Sequence, residues 1–269
     1  MKLAMVKLTM VKLAMGLLLL ALAPLGAVAS EAGVELDRMP SDVHPNDPAS
    51  LQRGAQVFMN YCAGCHNASY MRYNRLKDIG LDDKQIEANL IFTGAKVGEL
   101  IKNAMDPRDA KGWFGAPPPD LTVIARSRAS GAGSGADWLY TYLRSFYRDP
   151  SRPTGWNNLV FPNVGMPHVL YGLQGQQVLA TEVQMLPRRG GKKEDALPVE
   201  VHKLTVEKPG SLTAAEYDRL VADLVNFLVY MGEPAQQYRR QLGLYVLIFL
   251  GVLFAFAYAL KKEFWKDVH

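Results

Sequence analysis

The five residues Cys62-Ala63-Gly64-Cys65-His66 constrain this 269-residue chain more than any other feature. In a C-x-x-C-H pattern, two thiols three positions apart on a helical turn reach the two vinyl groups of one porphyrin and become thioethers. The adjacent imidazole then lies under the iron as the proximal ligand. A flat apolar group fixed in this way needs walls, so the rest of the chain must wrap it. Two other uses of the pattern compete. A thioredoxin-like couple should open a helix in a βαβ unit and has no need of the histidine. A zinc site needs further ligands, usually cysteines, and the sequence has no other Cys. Covalent haem attachment is the reading that uses all three residues.

Both ends of the chain point to a membrane. Lys2, Lys7 and Lys12 precede the apolar run Leu17 to Ala23, and Ala27-Val28-Ala29 supplies a small-x-small cleavage pattern. This is the layout of a secretory signal peptide over 1–29, with a retained anchor as the alternative. Export suits covalent haem attachment, which in bacteria takes place outside the cytoplasm. Both cysteines would be consumed by haem, leaving no disulfide. At the other end, Leu242 to Leu260 is a 19-residue stretch without a charge, about 28 Å long as a helix against a hydrocarbon core of ~30 Å. Lys261, Lys262 and Lys266 follow it, and Tyr245, Tyr258 and Trp265 suit its interfaces. Arg239 and Arg240 precede it, so positive charge alone does not orient the span. The export signal does: it puts 30–241 in the periplasm and 261–269 in the cytoplasm, as a single-pass protein of the bacterial inner membrane.

The formal charge of +4 says little about partners. Setting aside the three lysines of 1–30, and the three lysines and two acids of 242–269, leaves 24 basic and 24 acidic residues in 31–241. The exported part is neutral, which gives no footing for nucleic acid.

Within that part, 31–48 reads as an extended arm with Pro40, Pro45 and Pro48. Ser50 is placed to cap a helix that runs through Tyr61 into the haem motif. A second short helix covers 82–90. Residues 104–120, with Gly112, Gly115 and Pro117-Pro118-Pro119, read as irregular, as do 149–176. Between them lies a glycine-rich loop (127–135) and an aromatic helix from Ala136 to Tyr147. Alternation over 177–184 and 199–207 suggests a small β-hairpin around the basic loop 187–193. Thr213 caps a helix whose Leu220, Leu224, Phe227, Leu228 and Met231 repeat at helical spacing, and Gly232-Glu233-Pro234 ends it. The fold expected is mainly α: a class I cytochrome c-like haem domain with long loops and a small β-hairpin, plus one C-terminal transmembrane helix.

His66 leaves the opposite iron position to be filled. The thioether candidates are Met105, Met166, Met185 and Met231. Met231 has core spacing and Met185 ends a strand. Met166 sits in Val164-Gly165-Met166-Pro167, where Gly allows close approach and Pro stiffens the chain. Met105 is a second choice, and His168 would give a bis-histidine site. His44, His202 and His269 have no motif context.

Several fragments, in order, resemble the cytochrome c1 family, the haem subunit of the ubiquinol–cytochrome c reductase (bc1) complex. They are Ser50-Leu51-Gln52-Arg53-Gly54 leading to the haem motif, Pro118-Pro119-Asp120-Leu121-Thr122 with Ala125-Arg126-Ser127-Arg128, Asp137-Trp138-Leu139-Tyr140, and Val164-Gly165-Met166-Pro167. Phe227 to Pro234, running into Arg239-Arg240-Gln241-Leu242-Gly243, is similar to the family's junction between last helix and anchor. The resemblance implies one covalent haem c on Cys62 and Cys65, with His66 and Met166 as iron ligands. It also implies Arg128, with Arg126 as a second, beside a haem propionate, where a guanidinium fork fits a carboxylate. Trp138 stands where family members often have Tyr.

The function implied is electron transfer. One electron would pass from a Rieske iron–sulfur protein, through the haem, to a soluble or membrane-bound cytochrome c. Cytochrome b is implied as a membrane partner and the site of quinol oxidation, so the chain acts as a redox subunit of a quinol–cytochrome c oxidoreductase and needs no catalytic acid, base or nucleophile of its own. The rivals are a self-standing membrane-anchored shuttle serving a terminal oxidase, and a haem enzyme such as a peroxidase. The first would want a flexible linker, and Pro234 to Gln241 is short and not Gly/Ser-rich. The second would want an open iron position or a second haem.

Overall fold

The computed structural model describes residues 34–45, 47–187 and 196–266. The segment read as a signal peptide, most of the basic loop 187–193 and His269 lie outside the described residues.

The elements are α1 (Pro48–Val57), β1 (Ala68–Arg72), α2 (Asp83–Leu90), β2 (Leu100–Ile101), α3 (Pro107–Phe114), α4 (Ile124–Ser127), α5 (Gly135–Arg144) and β3 (Phe146–Arg148). There follow β4 (Trp156–Asn158), α6 (Tyr171–Gln174), β5 (Gly175–Pro187), β6 (Ala196–Pro209), α7 (Ala214–Gly232) and α8 (Gln236–Phe264). The strands pair as three antiparallel two-stranded ribbons, β1–β2, β3–β4 and β5–β6. The mainly helical domain with a hairpin and a long C-terminal helix agrees with the fold class expected.

The crossing of α1 and α7 organises the core. At α1 the cap is Asp47, whose Oδ1 accepts from Ala49 N at 3.1 Å with Pro48 in the first turn. The cap expected at Ser50 is corrected: Ser50 is buried inside the helix, and its hydroxyl accepts from Asn226 Nδ2 of α7 at 3.0 Å. Thr213 caps α7 as expected, and Glu216 completes a capping box with it. The two helices touch at Gly54, where a Cβ would lie 2.1 Å from the Asp223 carbonyl oxygen and 2.7 Å from Phe227 Cβ. Next to that contact, Arg53 donates twice to the buried Asp223 carboxylate, at 2.6 and 3.1 Å. Phe58 and Phe227 meet with ring centroids 5.8 Å apart. Met231 is buried in this cluster, as its spacing predicts.

The region 104–120 is not wholly irregular. Asp106 caps α3 by accepting from Arg108 N at 2.7 Å, with Pro107 in its first turn, and Gly115 ends it. The aromatic helix α5 stops at Arg144, short of the expected Tyr147. Asn158 Nδ2 donates to the Tyr142 carbonyl at 2.8 Å, which satisfies a group that continued helix would have used, and Phe146–Arg148 pairs with Trp156–Asn158 instead. The hairpin β5–β6 is longer than expected, with a bulge between Gln176 and Gln177. The arm from residue 34 lies along α5 and α7: Thr141 Oγ1 accepts from Asp37 N and Asp137 Oδ1 from Met39 N, both at 2.8 Å.

The last helix is different in kind. Tyr238–Phe264 contains an 18-residue stretch with a mean hydropathy of 2.3 and is long and apolar enough to cross a membrane. Its large apolar side chains, such as Leu247 and Phe254, are exposed around the helix rather than packed on the domain.

Candidate haem site

The chain changes pitch as it reaches the motif. After α1, Phe58–Cys62 form a single π-helical turn, closed by Ala63 N donating to the Phe58 carbonyl at 2.9 Å. Cys65 N and His66 N then both donate to the Cys62 carbonyl, at 3.1 and 2.8 Å. This tight turn brings both thiols and the imidazole to one side. They line a cleft of about 350 Å³, in the size range of small-molecule sites.

A short zipper aims His66. Leu121 N donates to the Asn67 carbonyl at 2.8 Å, and Ser69 N to Asp120 Oδ2 at 2.7 Å. The two segments so joined put the Pro119 carbonyl 2.8 Å from His66 Nδ1. Only a protonated Nδ1 makes that bond, so Nε2 keeps its lone pair for a metal. Burial pushes the His66 pKa down, against the opposing Pro119 bond and Asp120 charge, which favours the neutral ring a ligand must be. Burial, and then the charge of Cys65, pushes the Cys62 thiol up to about 12. Among the described residues no group of three or more His, Cys, Asp or Glu is placed to hold a metal ion.

Across the cleft, Met166 is half-buried and among its lining residues. Its loop is pinned at Gly165, where a Cβ would lie 2.6 Å from the Phe114 carbonyl oxygen at the end of α3. Tyr142 of α5 donates its hydroxyl to Met166 Sδ at 3.4 Å. Burial keeps that phenol protonated, raising its pKa well above the usual range despite the Arg128 charge. The walls are apolar: the proline run 117–119, Leu121 and Ile124 on one side, Leu224 and Leu228 of α7 on another. Arg128 joins the lining, its guanidinium 4.4 Å above the Trp138 ring and 5.5 Å from that of Phe161. No acidic side chain among the described residues forms an ion pair with it.

The residues fit a c-type haem: two thiols, a tautomerically fixed imidazole, a thioether, an apolar enclosure and a guanidinium share one cleft. The other candidates lie elsewhere. Arg126 is exposed and outside the lining, its stem against Gly232. Met105 is not in the lining. His168 is buried in an aromatic box, stacked 4.9 Å from Phe146 and edge-on to Trp156 at 5.1 Å. His202 lies on the hairpin, its Nδ1 3.3 Å from Thr181 Oγ1, and His44 is exposed. Sequence reasoning missed the Pro119 carbonyl and the Tyr142 hydroxyl. The one available signal was that Trp138 and Tyr142 stand four residues apart on the aromatic helix.

A family model described as the Cytochrome C1 family matches residues 41–268. The chain belongs to the cytochrome c1 family. It is therefore a haem electron-transfer subunit of a bc1 complex, with one covalent haem c, anchored in the membrane by its C-terminal helix. A self-standing shuttle is not favoured. Among its relatives is a cytochrome c1 of Allochromatium vinosum, 51% identical over 251 residues, or 93% of this chain and 96% of that one. A protein of Nitrosomonas europaea named ammonia monooxygenase gamma subunit is 51% identical over 253 residues, covering 94% and 97%. A cytochrome c1 of Rhodospirillum rubrum is 29% identical over 82% of this chain and 83% of its own length.

Proposed function

We propose that Cys62 and Cys65 would carry the haem as thioethers, that His66 and Met166 would hold its iron, and that Arg128 would neutralise a propionate. One observation carries this reading: an imidazole fixed on Pro119 shares a single apolar cleft with both thiols and Met166. The bound haem supplies one-electron chemistry between ferric and ferrous iron. The chain's own residues hold and tune it. Met166 offers a soft ligand that favours the reduced state, the prolines and α7 leucines exclude water, and Arg128 offsets charge at the edge. Arg126 is the weaker propionate partner, because it stands outside the cleft lining.

The electron arrives from a Rieske iron–sulfur protein and leaves to a soluble or membrane-bound cytochrome c, while cytochrome b packs beside the anchor. Residues 1–29 are a cleaved signal, 30–241 the periplasmic haem domain, 242–260 the membrane span and 261–269 the cytoplasmic tail. The signal-peptide pattern at the N-terminus and the compartment needed for haem attachment support this orientation. The name of the Nitrosomonas relative suggests a part in a monooxygenase. An oxygen-activating role wants an open metal position, and a cleft with a ligand on each side favours electron transfer instead.

The test is purification by a tag on this chain. Cytochrome b and a Rieske protein should co-purify, and quinol should reduce this haem only while the Rieske protein is present. A chain that purifies alone and is reduced by quinol without that protein contradicts the reading.

A further inference from the structure

Tyr142 is tied to the methionine loop at two independent points. Its hydroxyl donates to Met166 Sδ at 3.4 Å. Its carbonyl accepts from the fully buried Asn158, whose Oδ1 in turn accepts from Val160 N at 2.9 Å and Phe161 N at 3.1 Å. The ring between those points cannot swing. It stacks on Trp138 at 4.9 Å and 14°, and meets Phe146 edge-on at 5.0 Å. A phenol in a wall this apolar has a single evident purpose for its oxygen, since an unpaired buried hydroxyl is costly.

We propose that Tyr142 is a positioning residue for Met166, engaging one lone pair of its sulfur, leaving the other for the iron the site would hold, and biasing the site toward the reduced state. This rests on Met166 being the axial ligand. The sign of the bias follows from electrostatics. A hydrogen bond draws electron density from the sulfur, which weakens its donation to electron-poor ferric iron more than to ferrous iron. The positive end of the O–H dipole also faces the site and disfavours the state with the extra positive charge. Both effects favour reduction. The scale is that of one neutral hydrogen bond, about a fivefold change in the ferric-to-ferrous ratio at a fixed ambient potential.

The experiment is redox titration of the full-length holoprotein carrying Tyr142→Phe, which deletes one oxygen and leaves the ring contacts in place. Tyr171→Phe is the control, because Tyr171 is half-exposed and outside the cleft lining. Tyr142→Phe should raise the ferric-to-ferrous ratio about fivefold at fixed potential. It should also shift the methionine-to-ferric charge-transfer band without changing covalent haem content, while the control matches wild type. An unchanged ratio and band, even with lower thermal stability, would reduce Tyr142 to packing and overturn the proposal. If Tyr142→Phe fails to load haem, Tyr142→Leu must move the ratio in the same direction, and a move toward ferrous iron in either variant overturns it. A wild-type protein that lacks the charge-transfer band would instead defeat the Met166 assignment on which the proposal stands.

Discussion

Gly54→Ala tests whether the crossing of α1 and α7 builds the haem domain. The new methyl would sit 2.1 Å from the Asp223 carbonyl oxygen, where ordinary contact begins at 3.4 Å. That oxygen belongs to the backbone of a buried helix and cannot rotate away, so the helices must separate. Overpacking of this kind costs ~1–3 kcal/mol. Separation also loosens Arg53 from the buried Asp223 carboxylate, adding ~1–2 kcal/mol after allowance for the half-exposed arginine. Alanine returns ~1 kcal/mol of helix propensity. The net is a loss of roughly 2 kcal/mol, or about 4–8 °C in Tm for a domain of this size. Thermal unfolding of the holoprotein in detergent, followed by circular dichroism, reads it. Gly112→Ala is the counterpart: on α3 nothing lies within 4 Å of its Cβ, and Tm should hold or rise slightly. Equal Tm values for Gly54→Ala and wild type would refute the close-crossing argument.

Arg128→Gln should lower the haem potential or weaken the protein by about 1.5 kcal/mol without removing covalent haem, while Arg126→Gln should leave both at wild type; redox titration and thermal unfolding of the pair decide between them. Burial tends to raise the Asp120 pKa, but hydrogen bonds from Thr122 and Ser69 outweigh it and hold the carboxyl below its ordinary 3.8. The stability this provides is fully present above that ordinary value and is lost as pH falls through the lower folded value. Unfolding measured between about pH 5 and pH 2 should show the loss in wild type and a smaller pH dependence in Asp120→Asn, which should already be ~1 kcal/mol weaker at neutral pH. Truncation before Leu242 should release a soluble domain with a normal haem spectrum that no longer assembles with cytochrome b. A released domain without methionine ligation would show that the anchor helps to build the pocket.

Local patterns were legible in the sequence and long-range ones were not. The haem motif, the Thr213 cap and the apolar run at 242–260 are each written within a few residues or at one fixed period. Ser50 illustrates the limit. It is a good cap by type, yet Asn226, 176 positions away, claims its hydroxyl and Asp47 takes the role. The proline- and glycine-rich stretch 104–120 hid α3 because composition outweighed the Asp106-Pro107 start signal. The aromatic pattern continues to Tyr147 and predicts a longer helix, while the side chain that stops it, Asn158, comes from a later strand. In the site, the motif and the Gly-Met-Pro segment pointed to four residues that line one cleft. The groups that aim them, the Pro119 carbonyl and the Tyr142 hydroxyl, act across 53 and 24 positions, which no local pattern records.

The ligand set of the haem is tested most directly by the optical spectrum of the ferric holoprotein in wild type, Met166→Leu and Met105→Leu. His66–Met166 ligation predicts a low-spin wild type with a methionine-to-ferric charge-transfer band, its loss together with a large fall in potential in Met166→Leu, and an intact band in Met105→Leu. A band that survives in Met166→Leu, or disappears in Met105→Leu, would contradict the site described above.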